Sequence, residues 1–224
     1  MRRPRLAVAL ALLLVPLAQG CSSPSSEVAH SSDPVTNTPA AAATHRVDPP
    51  DPPIDAAKLE AAGGVAYFAG GCFWGVEHFL EQIDGVLRVE SGYMGGHLDN
   101  PTYADVSSET TGHLETVRVY FDPERVSYEA VAKRFFEIHD PTQANGQGPD
   151  IGSEYLSAVF VTGPEQREAT QALIMRLKDR GYEVVTKVEP AASFWLAEDY
   201  HQNYYVKHNK QPYCHSPVDR FGDQ

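Results

Sequence analysis

Between residues 63 and 224 the spacing of apolar positions changes several times, and each change marks an element. Val65-Ala66-Tyr67-Phe68 is a β-prone run and predicts a strand over 65–70. Val76, Phe79, Leu80 and Ile83 then recur at helical spacing and predict a helix over 72–84. Residues 86–93 read as a second strand, ending at Gly95-Gly96, and a long loop, 94–112, follows. Over 113–121 the side chains alternate: Glu115, Val117, Val119 and Phe121 share one face, and Leu114, Thr116, Arg118 and Tyr120 share the other. Tyr128–His139 is amphipathic, with Val131, Phe135, Phe136 and Ile138 inward. After a turn-rich stretch, 140–153, come a strand over 155–162, a helix over 165–180 with Ala169, Leu173 and Leu177 on one stripe, and a strand over 183–188. The tail is expected to be helical over 197–207 and irregular after Pro212. The order β-α-β-β-α-β-α-β lacks the alternation of a parallel sheet. It predicts an α+β fold: a ferredoxin-like two-layer α/β sandwich with a mixed or antiparallel sheet and a long irregular C-terminal tail.

Upstream the pattern is different. Residues 1–5 carry three arginines, and Leu6–Ala18 is an uncharged run of 13 residues, too short for a helical bilayer span. A basic start, a short apolar segment and small residues describe a secretory signal. Its end, Leu17-Ala18-Gln19-Gly20-Cys21, resembles a bacterial lipobox, which implies lipidation of Cys21 as the mature N-terminus. Residues 22–62 hold seven prolines and no Phe, Trp or Tyr. Such a segment buries too little apolar surface to offset its ordering entropy and reads as a disordered linker. It would reach about 130 Å in polyproline form and on the order of 35 Å as a coil. The expected organisation is therefore a signal over 1–21, a linker over 22–62 and one domain over 63–224, tethered in the cell envelope on a periplasmic or outer-membrane face. Without residues 1–21 the chain carries 15 basic and 30 acidic side chains, a formal net of −15. That balance argues against nucleic acid and against electrostatic attachment to anionic lipid.

Of three cysteines, Cys21, Cys72 and Cys214, two remain if Cys21 is lipidated. In an exported protein they form either a structural staple or a redox-active pair. Cys72 sits where a strand hands over to a helix N-terminus, whose partial positive charge favours a thiolate. Trp74 shares its helix face with the polar Glu77, His78 and Glu81, as a binding platform beside the cysteine would. Glu115 is on the core-facing side of its strand, where lost hydration raises its pKa and suits it to give up a proton as a general acid. A rim glutamate bent toward water is the plainer alternative. The histidines crowding the C-terminus lack the spacing of a zinc motif, and no local signature of a cysteine protease is present.

These residues belong to a wider set of motifs. Gly71-Cys72-Phe73-Trp74-Gly75, Asn100-Pro101-Thr102-Tyr103, Thr111-Gly112-His113-Leu114-Glu115, His139-Asp140-Pro141-Thr142-Gln143, Gly152-Ser153-Glu154-Tyr155 and His201-Gln202-Asn203-Tyr204 occur in this order. Together they resemble the peptide methionine sulfoxide reductases of the A class, over roughly residues 64–215. The resemblance implies that Cys72 attacks the sulfoxide sulfur, that Glu115 protonates its oxygen and that Tyr103 and Tyr155 hydrogen-bond that oxygen. Phe73 and Trp74 would form the pocket for the methyl group, and Asp150 would help to organise the site. Cys214 would resolve the Cys72 sulfenic acid to a disulfide. It implies free and protein-bound methionine sulfoxide as substrates, a thioredoxin-like reductant, a monomer, and neither cofactor nor metal. Glu154 and Leu156 depart from the family's usual residues, where a glutamine and an arginine are expected.

Overall fold

The computed structural model describes residues 54–222. The signal, Cys21 and the linker as far as residue 53 lie outside the described residues. Helix α1, Ala56–Ala61, begins inside the stretch assigned to the linker. Its residues, Ala-Ala-Lys-Leu-Glu-Ala, are strong helix formers, and Asp55 caps it by accepting from the Lys58 N–H at 3.1 Å. The prolines stop at Pro53, so the compositional boundary at 62 falls behind this helix.

A six-stranded sheet forms the body of the domain. Strand β1 (Val65–Gly70) lies between β3 (Leu114–Phe121) and β6 (Ser157–Val161), antiparallel to both. Strand β2 (Val86–Met94) pairs antiparallel with β3 and sets Tyr93 opposite Glu115. The short β8 (Trp195–Leu196) adds to the β2 edge, and β7 (Lys187–Pro190) runs parallel to β6 at the other edge. The order is β7-β6-β1-β3-β2-β8. Helix α2 (Phe73–Leu80) connects β1 to β2, and α4 (Tyr128–Ile138) connects β3 to β6. With the inner order β6-β1-β3-β2, this is the expected ferredoxin-like arrangement with a mixed sheet.

The alternation of β3 decides which face is the core. Val117, Val119 and Phe121 bury completely with Phe68, Leu80, Val131, Phe135 and Leu173, so this face meets α2, α4 and α5 (Pro164–Asp179). A smaller cluster of Ala69, Met94, Ala158 and Phe160 covers the opposite face. Among the described residues no helix is long and apolar enough to cross a membrane.

Four local expectations change. The loop 94–112 contains a single turn, α3 (Tyr103–Val106), with a capping box between Thr102 and Asp105. The turn-rich stretch holds a two-strand hairpin, β4 (Gly146–Gln147) with β5 (Asp150–Ile151), and a 3-10 turn at Ser153–Tyr155. The strand expected over 183–188 forms over Lys187–Pro190, because Tyr182 and Val185 spend their N–H groups on Leu177 and Pro141 carbonyls. The helix expected over 197–207 shrinks to α6, Tyr204–Lys207. Gln202 is drawn instead to the Ser91 backbone, accepting from its N–H and donating to its carbonyl, both at 2.9 Å, and Asn203 turns left-handed at φ 52°.

Candidate active site

Cys72 is the N-cap residue of α2, reached through Gly71 at φ +94°. A side chain at Gly71 would overlap Gln147, and one at Gly75 would overlap the His215 ring. The glycines around Cys72 thus let two other segments approach its sulfur. Glu115, at the end of the buried face of β3, is only 2% exposed, and its Oε2 accepts the Phe73 N–H at 2.9 Å. The strand therefore delivers a carboxyl to the same helix terminus that carries the cysteine. Burial raises the Glu115 pKa well above the carboxylate range and Cys72 adds to the rise, against a smaller opposing effect of the Phe73 N–H. Glu115 is turned inward, as the alternation predicts, and its surroundings favour the protonated form.

The C-terminal tail completes the cluster. Cys72 and Cys214 are both buried and both free thiols. Their sulfurs and a carboxylate oxygen of Asp150 all lie within 4.8 Å of one another. Gln147 fixes the tail by donating from Nε2 to the Cys214 carbonyl at 3.2 Å while its Oε1 accepts the Asp140 N–H at 3.0 Å. The Tyr213 hydroxyl donates to Asp150 at 3.0 Å. This proximity corrects the expectation of an activated thiolate at Cys72. The hydrogen bond with Cys214 raises the Cys72 pKa most, burial raises it further, and the Trp74 N–H of the helix terminus opposes both without prevailing. With the tail docked, the surroundings of Cys72 favour the thiol over the thiolate.

Phe73 is 1% exposed and packs on Tyr93 and edge-on to His201, at ring separations of 5.9 and 4.9 Å. Trp74 is half-buried, stacks on Tyr204 at 3.6 Å and donates from Nε1 to His201 Nδ1 at 3.1 Å. The polar face that Trp74 shares with Glu77 is therefore covered by the tail. Glu77 is 1% exposed, accepts the Asn203 N–H at 2.9 Å, and is pushed up to about 8 by burial. Tyr103 opens α3, with its N–H on Glu198 at 2.9 Å and its ring 4.7 Å from His201. Tyr155 ends the 3-10 turn; burial first, then its neighbours Glu115 and Tyr103, raise the pKa of its phenol well above its ordinary range. Glu154, one of the departures from the family pattern, is buried with Oε2 lacking a hydrogen-bond partner, and burial raises its pKa.

Cys72, Glu115, Tyr155, Asp150 and Cys214 thus converge, with Phe73, Trp74 and Tyr103 joined to them through His201. Sequence reasoning passed over Gln147 and Glu198, and met His201 and His215 only as rejected metal ligands, or as part of a motif, without a role in this site. The position of His215 directly after Cys214 was a visible signal; the reach of Gln147 and Glu198 was not, because it depends on loop geometry.

The chain matches the family model described as peptide methionine sulfoxide reductase over residues 64–224. It is 50% identical to peptide methionine sulfoxide reductase MsrA of Acidobacterium capsulatum over 145 residues, 63% of this chain and 93% of that protein. Identity with peptide methionine sulfoxide reductase MsrA of Saccharolobus solfataricus is 46% over 151 residues, 67% of this chain and 85% of the other. Its fold is similar to the crystal structure of Mxr1 from Saccharomyces cerevisiae in reduced form, with a TM-score of 0.66 and 29% identity over 69% of this chain and 92% of that one. Methionine sulfoxide reductase A of Corynebacterium diphtheriae is similar with a TM-score of 0.60 and 33% identity over 67% of this chain and 77% of that one. With a buried thiol pair, a buried carboxyl at the same helix terminus and a family match over residues 64–224, the chain belongs to the peptide methionine sulfoxide reductase family.

Proposed function

We propose that this protein reduces the S epimer of methionine sulfoxide, free and in proteins, to methionine. The observation that carries the reading is the meeting of Cys72, Cys214 and the buried Glu115 carboxyl, its pKa raised by burial, at one helix terminus. A sulfoxide sulfur resists a nucleophile until its oxygen is hydrogen-bonded or protonated. Tyr155 and Tyr103 supply neutral phenolic donors for that oxygen, and Glu115 supplies the proton. Cys72 attacks the sulfur after losing its own proton, which returns Glu115 to its acid form. The oxygen passes to the cysteine: methionine leaves reduced, and Cys72 is oxidised to the sulfenic acid. Cys214 then displaces that oxygen as water and forms a disulfide, which a thioredoxin-like dithiol reduces. Phe73 and Trp74 bound the place of the methyl group, and Asp150 orders the site through Tyr213.

The electron flow needs no cofactor or metal. The enzyme acts as a monomer, carried on lipid at Cys21 in the cell envelope with residues 22–53 as its tether. The basic start, the apolar run and the lipobox-like end support that placement.

The test is incubation of peptides bearing S- or R-methionine sulfoxide with the protein and dithiothreitol, followed by mass spectrometry. Loss of one oxygen from the S peptide alone is expected, and an unchanged S peptide overturns the reading. Replacing Cys21 by alanine is expected to release the protein from the membrane fraction. An unmodified, soluble wild-type N-terminus overturns the anchor.

A further inference from the structure

The reaction moves protons at two places, and Glu115 accounts for the first, at the substrate and Cys72. The second is at Cys214, which must lose its proton to attack the sulfenic sulfur. His215 Nε2 is 2.7 Å from the Gly70 carbonyl oxygen, and Nδ1 is 3.1 Å from the Cys214 sulfur. A carbonyl only accepts, so Nε2 holds the ring hydrogen. Nδ1 therefore offers a lone pair to the Cys214 S–H.

The ring is built in rather than resting on the surface. It is 5% exposed, and the absence of a side chain at Gly75 makes its space. The carbonyl that holds it belongs to Gly70, two residues before Cys72, so one imidazole ties the tail thiol to the segment carrying its target. Asp150 from β5 and His139 from the end of α4 are the titratable groups that act on the ring. The Cys72 thiol from the start of α2 and the phenols of Tyr205 and Tyr213, both raised by burial, act on the adjoining Cys214.

We propose that His215 is the general base of the disulfide-forming step, taking the Cys214 proton on Nδ1 as the Cys214 sulfur attacks Cys72. The S–S bond forms as the S–O bond of the Cys72 sulfenic acid breaks. The electrons come from the Cys214 sulfur, which is oxidised as the sulfenic sulfur is reduced. The proton taken by Nδ1 ends on the departing hydroxide, which leaves as water. The imidazolium formed on the way keeps its Gly70 hydrogen bond and faces the carboxylate of Asp150, and both favour it. Burial pushes the His215 pKa down to about 4, so the ring is neutral and able to accept a proton above about pH 5.

The proposal rests on the resolving role given to Cys214 above, and the test separates the two. Full-length enzyme is mixed with one equivalent of S-methionine sulfoxide peptide and quenched over time; methionine, Cys72 sulfenic acid trapped with dimedone, and disulfide are each measured. His215→Asn keeps a hydrogen-bond acceptor but cannot take a proton. It is expected to form disulfide about 10²-fold more slowly or worse and to accumulate sulfenic acid, the scale of a lost general base. Its rate is expected to climb about tenfold per pH unit as hydroxide takes over, whereas the wild-type rate stays level between about pH 5.5 and 8. The methionine formed in the first turnover reports how much variant is folded. Disulfide formation at the wild-type rate in His215→Asn overturns the base. If the variant does not fold, the wild-type profile decides alone: a rate rising tenfold per unit across that range overturns the proposal. Absence of any Cys72–Cys214 disulfide in the wild type instead overturns the resolving role.

Discussion

The thiol of Cys72 is governed by its nearest neighbour more than by its helix. A helix terminus contributes at most about 2 kcal/mol toward the anion, and here a second buried thiol outweighs it. Cys214→Ala removes the largest cause of the rise, so Cys72 is expected to be alkylated by iodoacetamide at lower pH than in the wild type. An unchanged alkylation midpoint would mean that burial alone sets it. The pKa of Glu115 is raised chiefly by desolvation. Glu115→Gln keeps the Phe73 N–H contact but carries no acidic proton, and turnover is expected to fall by about 10²- to 10⁴-fold. The alkaline limb of the pH profile, where the wild-type acid is lost, is expected to vanish with it, which steady-state assays from pH 6 to 10 can check. At this scale Cys72 and the inward turn of Glu115 were legible, because the residue before a helix and the parity of a strand are local. The protonation of Cys72 was not, since it depends on a residue 142 positions away.

At the scale of elements, the long strands and helices were legible because their apolar faces are periodic. The short pieces were not. The β4–β5 hairpin and α6 lie in segments tied to distant residues, Gln147 to the Cys214 carbonyl and Gln202 to Ser91, which no window of sequence contains, and α3, though capped locally by Thr102 and Asp105, is a single turn without an apolar period. The polar face of α2 is the instructive failure: Glu77 reads as solvated yet is sealed under Asn203. Its folded pKa, about 8, lies above its unfolded value. The folded state therefore binds the extra proton, and its advantage is present at low pH and lost as pH rises through about 8. Glu77→Gln keeps an acceptor for the Asn203 N–H without a charge to bury. It is expected to raise stability at pH 8 by about 1–3 kcal/mol and to change it little at pH 5. Denaturant unfolding at the two pH values measures the difference, and an equal effect at both excludes ionisation as the cause.

For the whole molecule, buried titratable groups of two kinds bracket the pH range of stability. Neutral His139 and His215, depressed to about 3 and 4, weaken the fold as pH drops below their unfolded value near 6.5. Glu77 and Glu115, raised, weaken it as pH climbs above theirs near 4.5. The opposing slopes overlap between about pH 4.5 and 6.5. The melting temperature is expected to be nearly level there and to fall on both sides, and a scan that keeps rising to pH 9 would contradict this. The pairing of Cys214 with Cys72 has a last consequence, in time rather than in space. A sulfenic acid is exposed to stray thiols and to oxidants that carry it on to the irreversible sulfinic acid. A partner already seated at the reacting sulfur competes at an effective molarity that can reach about 10⁵ M. The intermediate is thus consumed from within before either intruder arrives, and an enzyme that repairs oxidative damage is spared from accumulating it.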